Sequence, residues 1–381
     1  MLESLTLTNF KAFAHQELRL APFTLLTGLN SSGKSSVLQS LALLRQSYES
    51  GDLAPVGGSE AGLLLNEELV QLGIGQDVRH ESYDETGPHI TLAARGDGAS
   101  LQWSARYERE ADHLKLLQEE DREGIEMFAF VEPAALLPTL FGPGFQYLKA
   151  DRVSPQVSYP RSHHAVSTRG FLGAHGEHTV NYLRAHQDDA VEASALLVPD
   201  AASVTLLGQT EAWMQKLCPG VSLEAAGIDG TDSVRLSYRF GSGVSQSNRY
   251  RPTNVGFGLT YVLPIVVACL SAKPGTLILL ENPEAHLHPQ GQTWMAYLAS
   301  AAAASGAQVV METHSDHVLN GLRLRVKQGL LSPAATAVHY FRRKDQTSEV
   351  VSPVIAPDGR LSEWPEGFFD EWENSLDQLL D

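Results

Sequence analysis

The octapeptide GLNSSGKS, Gly28 to Ser35, constrains this chain more than any other stretch. It fits the spacing G-x-x-x-x-G-K-[ST]. Before it runs FTLLTG, a continuous apolar segment of the kind buried on both faces of a parallel sheet. After it come Val37, Leu38, Leu41, Leu44 and Tyr48 at helical spacing. Strand, glycine loop and helix in that order predict an α/β fold. Gly28 and Gly33 let the backbone bend so that successive N–H groups turn inward as a nest for phosphate oxygens, with Asn30, Ser31, Ser32 and Ser36 contributing around it. The helix that follows adds the positive end of its dipole. Lys34 supplies a point charge, and Ser35 offers a hydroxyl to a magnesium ion. Taken alone, the octapeptide also fits a Gly/Ser turn with a surface lysine; its flanks argue for the cradle.

A second constraint is TLILLENPEAHLHPQG, Thr276 to Gly291. An apolar strand that ends in Glu281 suits a carboxylate holding magnesium through water. The residue after it, Asn282, can orient a water but cannot take its proton. Glu284 can accept that proton if the turn at Pro283 swings it back, or it caps the following helix instead. Both readings stay open. In METHSDH a further apolar strand, Gln308 to Met311, delivers His314 to the same edge, where it can sense a terminal phosphate. His286 and His288 stand two apart with no third ligand in view, so no zinc centre is expected.

With 381 residues the chain can bury a large core, and 43% hydrophobic with 19% charged residues is ordinary globular composition. No apolar run has the length of a membrane span, so no membrane partner is expected. MLESLTLTNF lacks a basic region followed by an apolar one, which argues against a secretory signal. Cys218 and Cys269 have no CxxC spacing, and a reducing cytoplasm is the expected location. The net charge of -17 opposes bulk attraction to nucleic acid. Two basic stretches, GLRLRVKQG and YFRRKDQ, leave local DNA contact open; a solvated helix face and a strand end are the favoured account.

Strand and helix signals divide the chain into four parts. These are an N-terminal core part over 1–90, a mixed insert or arm over 91–250, a C-terminal core part over 251–345 and an acidic aromatic tail over 346–381. No sustained heptads occur, so no long coiled coil is expected. Residues 90–250 hold no tight group of acids with a lysine that would mark a nuclease centre. Trp364, Phe368, Phe369 and Trp372 make the tail amphipathic; packing on its own core is expected over docking a partner.

With the cradle, ENPEAHLHP and ETHSDH in this order, the chain resembles ABC-type ATPases of the SMC/RecF/OLD kind, which are P-loop proteins with a mixed-sheet head. Its end, WPEGFFDEW, is similar to that of a bacterial group of small AAA-like ATPases. The resemblance implies ATP and magnesium as ligands, with Glu281 and Ser35 on the metal. It also implies a homodimer through the nucleotide sites, with larger assemblies left open, in which a signature segment of one copy meets the γ-phosphate held by another. NVGFGLT, Asn254 to Thr260, stands in the matching place although it departs from LSGGQ; Asn254, Gly256 and Gly258 are the implied contacts. A Gly-rich helix start is the less favoured alternative. Gln76 is a weak candidate for a residue linking magnesium to the insert, and Arg152 lies in a shared motif, with a buried ion pair as its expected role. His288 stands where an aspartate is common. The resemblance further implies a regulatory ATPase in phage defence or DNA maintenance. It would act through DNA or a separately encoded effector such as a nuclease, since little chain follows His314. The rival expectation is a nucleotide-switched scaffold with negligible turnover.

Overall fold

Phe23–Gly28 (β3), Leu277–Glu281 (β12) and Gln308–Glu312 (β13) contain no charge before their final residues and pair side by side in parallel. Their side chains alternate between two buried layers, as period-two geometry requires of a strand covered on both faces. Leu25, Ile278, Leu280, Val309 and Met311 enter one core, while Leu26, Leu277, Leu279 and Val310 enter the other. The computed structural model describes residues 1–53, 61–82, 89–117, 133–241, 246–344 and 347–380.

Among these residues the remaining strands are β1 (Leu2–Phe10), β2 (Phe13–Arg19), β4 (Gly62–Leu64), β5 (His89–Gly96), β6 (Ala99–Arg106), β7 (His113–Lys115), β8 (Gln146–Leu148), β9 (Tyr159–Pro160), β10 (Val221–Gly227), β11 (Ser233–Phe240), β14 (Thr336–Lys344) and β15 (Thr347–Val351). The central sheet has the order β15-β14-β3-β13-β12-β8, parallel except for the hairpin strand β15. An antiparallel sheet of order β2-β1-β5-β6 covers one side, and β10-β11-β9 form a third sheet. The helices are α1 (Lys34–Glu49), α2 (Gly75–Val78), α3 (Pro133–Leu136), α4 (Pro138–Phe141), α5 (Thr179–His186), α6 (Leu206–Leu217), α7 (Phe257–Leu270), α8 (Pro289–Ala304), α9 (Asp316–Lys327) and α10 (Glu371–Leu380). This is the mixed α/β architecture expected, with no long coiled coil among the described residues. No helix there is long and apolar enough to cross a membrane.

Residues 91–250 do not form one inserted unit. β5 and β6 pair with β1 in the antiparallel sheet, and β8 adds to the edge of the central sheet beside β12. The sequence boundary near residue 90 therefore cuts through β5, because pairing with β1 is a long-range contact that local pattern does not carry.

On α1, Val37, Leu38, Leu41 and Leu44 are fully buried, each contributing about 2 kcal/mol. They dock the helix between the central and antiparallel sheets and so fix the loop that precedes it. Gln308 ties these two sheets together. Its side-chain oxygen accepts from the Leu2 N–H at 2.8 Å, and its amide donates to the Leu2 carbonyl at 2.7 Å.

The tail packs on its own core. Phe368 is fully buried, edge-on to Tyr340 at 5.0 Å and to Trp364 at 4.8 Å. The Trp372 side chain lies outside the described set. Phe368→Ala is expected to cost about 3–5 kcal/mol, read as a shift of the urea unfolding midpoint. A change below about 1 kcal/mol, the size of an ordinary surface effect, would show that the tail is not part of this core.

Candidate functional site: a phosphate cradle facing three carboxylates

The loop after β3 is shaped by two glycines. At Gly28, φ is 133° and a Cβ would stand 2.0 Å from the Phe341 carbonyl oxygen, because β14 runs directly alongside. At Gly33, φ is 100° and a Cβ would stand 2.7 Å from the Phe13 ring. Between them Ser31 also takes a left-handed conformation, with φ of 59°. Such successive backbone reversals turn N–H groups to one side and form an anion nest. No side chain caps the first turn of α1, so its amides remain available to an anion. Ser32, Lys34 and Ser36 are buried, whereas Asn30 and Ser31 are exposed at the tip of the loop. The Lys34 ammonium donates to the carbonyls of Gly28 at 3.1 Å and Leu29 at 2.6 Å. Burial pulls its pKa below the ordinary lysine value, and the charges of Glu312 and Glu284 oppose that shift.

The carboxylates come from the ends of the neighbouring strands, the edge at which parallel sheets bind ligands. Glu281 and Glu312 are register partners in β12 and β13. Both oxygens of Glu281 are already engaged: one accepts from the Tyr147 hydroxyl, the other from the Ala150 N–H at 3.0 Å. Burial first, then the charge of Glu281, holds the Tyr147 phenol well above its usual pKa, so it remains a donor. The carboxylate that touches Ser35 is Glu312, whose Oε1 accepts from Ser35 Oγ at 3.0 Å. Glu281, expected to hold magnesium through water, makes no hydrogen bond to Ser35 among the described residues. β13 is the strand next to β3, and β12 lies one strand further away.

Burial raises the Glu312 pKa to about 7; the hydrogen bond from Ser35 and the charge of Lys34 pull it down, while Glu281 and Glu284 push it up. Glu284 is buried as well, and its pKa is raised first by that burial. Its Oε1 accepts from the His314 N–H at 2.8 Å, and among the described residues its Oε2 has no hydrogen-bond partner. The turn at Pro283 thus brings Glu284 back to the strand edge. Asn282 occupies the left-handed region with φ of 42°, donates its N–H to the Glu312 carbonyl at 3.0 Å and keeps its side-chain oxygen buried without a partner among the described residues. The His314 ring stands at the surface; partial enclosure first, and the Lys34 charge second, hold its pKa below the ordinary value.

Residues 1–86 match a family described as "AAA ATPase domain", and residues 145–320 match one described as "AAA domain, putative AbiEii toxin, Type IV TA system". Residues 331–379 match "Protein of unknown function (DUF3696)". In structure the chain is similar to an SMC head bound to the C-winged helix domain of ScpA, with a TM-score of 0.54 at 15% identity, covering 93% of this chain and 98% of that one. It is also similar to an Smc head with an extended coiled coil, bound to the C-terminal domain of ScpA from Pyrococcus furiosus. There the TM-score is 0.52 at 12% identity, covering 100% of this chain and 99% of the other. No curated protein matches in sequence. The chain thus carries two matches to AAA-type ATPase domains on a fold similar to that of SMC heads.

The segment Asn254 to Thr260 leads into α7, whose first turn also lacks a side-chain cap. Asn254, Gly256 and Phe257 are exposed. A Cβ at Gly256 would meet nothing within 4 Å, whereas one at Gly258 would stand 2.7 Å from the His286 carbonyl oxygen. His286 packs edge-on against Phe257 at 4.7 Å and Tyr261 at 5.0 Å, a structural role for its ring.

Among the described residues Arg152 makes no ion pair of the kind expected for it. Its guanidinium donates to four backbone carbonyls: Lys149 at 2.7 Å, Glu281 at 2.7 Å, Asn282 at 2.8 Å and Tyr261 at 3.1 Å. It lies over the Tyr261 ring at 4.1 Å from the centroid. This strut joins the carboxylate turn to α7. Gln76 does not join the cluster either, because its side-chain oxygen accepts from Arg109 Nε at 2.9 Å. The matches to AAA ATPase domains support nucleotide binding and ATPase activity. The donor set suits magnesium: hard oxygens at Ser35 and Glu312, with an unpartnered buried oxygen on the latter.

Proposed function

We propose that this protein binds ATP on the Gly28–Ser36 loop, dimerises around it and hydrolyses it to release a bound effector. One arrangement carries the reading: Lys34 and Ser35, at an uncapped helix start, share a strand edge with Glu284 and Glu312. The loop amides and Lys34 would hold the β- and γ-phosphates. Magnesium, held at Ser35 and a strand-end carboxylate, would neutralise charge that develops on the transferred phosphoryl group. Glu284 takes the proton of the attacking water, and its burial favours that role by bringing its pKa nearer to neutrality. Asn282 orients the same water. His314 contacts the terminal phosphate and reports its loss along the peptide N–H that Glu284 accepts.

The exposed start of α7 supports dimerisation. Its free amides, beside Gly256, suit the γ-phosphate held by a second copy. The effector is a separate protein, with a nuclease the favoured class, in a cytoplasmic defence or DNA-maintenance role. Direct DNA contact is a further option. Asn282, which cannot accept a proton, favours a second reading: a scaffold that switches on ATP binding with negligible turnover. Phosphate release together with sedimentation in ATP and magnesium separates the two. ATP-driven dimers with steady phosphate release support hydrolysis, and dimers without release support the scaffold.

Gly256→Glu adds a carboxylate where the chain's own fold leaves open space. Its monomer should bind ATP as wild type does and fail to dimerise. Wild-type dimerisation of this variant in sedimentation velocity runs would reject the Gly256 contact.

A further inference from the structure

We propose that Arg152 is a positioning residue for phosphate release: its fork clamps the Glu281–Asn282 turn to α7. The turn that aims Glu284 and the surface that meets a second copy are thereby held as one body; the assignment rests on the ATP reading above. Arg152 is buried, and its four acceptors belong to three segments that are far apart in sequence. Nη1 donates to the carbonyls of Lys149 and Glu281, Nη2 to that of Asn282 and Nε to that of Tyr261 in α7. A planar guanidinium with five fixed donors can gather such a set, which an ammonium on a flexible stem cannot. The guanidinium also lies over the Tyr261 ring, and that ring packs edge-on against His286 at the far side of the same turn.

The turn needs such a hold. Asn282 has φ of 42°, a left-handed conformation that is unfavourable for a residue other than glycine. The chain is gripped on both sides of it: the Asn282 N–H donates to the Glu312 carbonyl, and the Asn282 carbonyl accepts from Arg152. Two residues later Glu284 accepts the His314 N–H, so the place of its second oxygen depends on this turn. α7 is fastened at the same point, where a Cβ at Gly258 would stand 2.7 Å from the His286 carbonyl oxygen. Charge does not single out Arg152 in the same way. Lys34 faces Glu312 and Glu284, Lys11 faces Glu281 and Asp77, and Arg152 faces Glu284, Glu281 and Asp151. Its charge is one of three at this edge, and a lysine in its place would keep the balance and lose only the fork.

Arg152→Lys in the full chain is therefore the test. In magnesium and saturating ATP its phosphate release should fall about 100-fold and its ATP-driven dimer weaken at least about tenfold, since a displacement of about 1 Å produces losses of this size. Fluorescent (mant) ATP should bind the dilute, monomeric variant as it binds wild type, because none of the four acceptors lies in the cradle. Arg45→Lys controls for a merely structural role. Arg45 is buried as well and donates to the carbonyls of Leu140 at 3.0 Å and Gly142 at 2.7 Å. That variant should melt early yet keep the wild-type rate and dimer. Should Arg152→Lys fail to fold, Tyr261→Leu, which removes the ring beneath the guanidinium, carries the same test. Either quantity at its wild-type value in Arg152→Lys, an equal loss in Arg45→Lys, or a matching loss of mant-ATP affinity overturns the inference and leaves the ATP reading intact. If wild type dimerises in ATP without releasing phosphate, the dimer measurement alone decides. Wild type that neither binds ATP nor dimerises in it sinks the ATP reading itself, and this inference with it.

Discussion

Lys34→Ala is expected to weaken ATP binding about 100-fold, a loss of about 2.7 kcal/mol. The expectation follows from the charge pair that is removed. A unit charge about 4 Å from a phosphate oxygen in a partly screened site gains about 4 kcal/mol, and desolvation of the ammonium cancels part of that. Without phosphate, Lys34 bridges the Gly28 and Leu29 carbonyls, which stand at the mouth of the loop, and faces Glu312 and Glu284. Melting of the variant beside wild type separates lost folding from lost binding. Calorimetric titration with ATP measures the loss. Unchanged affinity would mean that the loop is not the nucleotide site.

Glu284→Gln should slow phosphate release by about 10²–10⁴-fold, the usual weight of a positioned general base, with ATP affinity retained. The substitution is conservative for the fold, because a glutamine oxygen can still accept the His314 N–H that Oε1 now holds. What disappears is the capacity of the second, unpartnered oxygen to take a proton. The variant should accumulate as ATP-bound dimer. Phosphate release at the wild-type rate would remove Glu284 from the chemistry and leave only its tie to His314.

Local features of this protein were legible and long-range ones were not. The cradle is a contiguous strand, loop and helix, and its apolar spacing forecasts α1 residue by residue. The edge position of Glu284 follows from one proline turn. Glu312 escaped notice because its importance depends on which strand lies beside β3, a fact about sheet order. The nearest signal in the chain was that ENPE and ETHS both close an apolar strand with a glutamate. Arg152 was unreadable for a similar reason: its acceptors are carbonyls of residues 149, 261, 281 and 282, brought together only by the fold. Gln76 fell to a partner, Arg109, that no spacing rule could name.

The dimer itself is best tested by mixing two defective chains. Lys34→Ala cannot grip the triphosphate, and Gly256→Glu cannot cover one, so each alone should sediment as a monomer in ATP and magnesium. Combined, they can build one complete site, with the cradle from the Gly256→Glu chain and the α7 start from the Lys34→Ala chain. A mixed dimer carrying a single nucleotide is the predicted result. A mixture that stays monomeric while wild type dimerises would contradict a nucleotide shared between two copies.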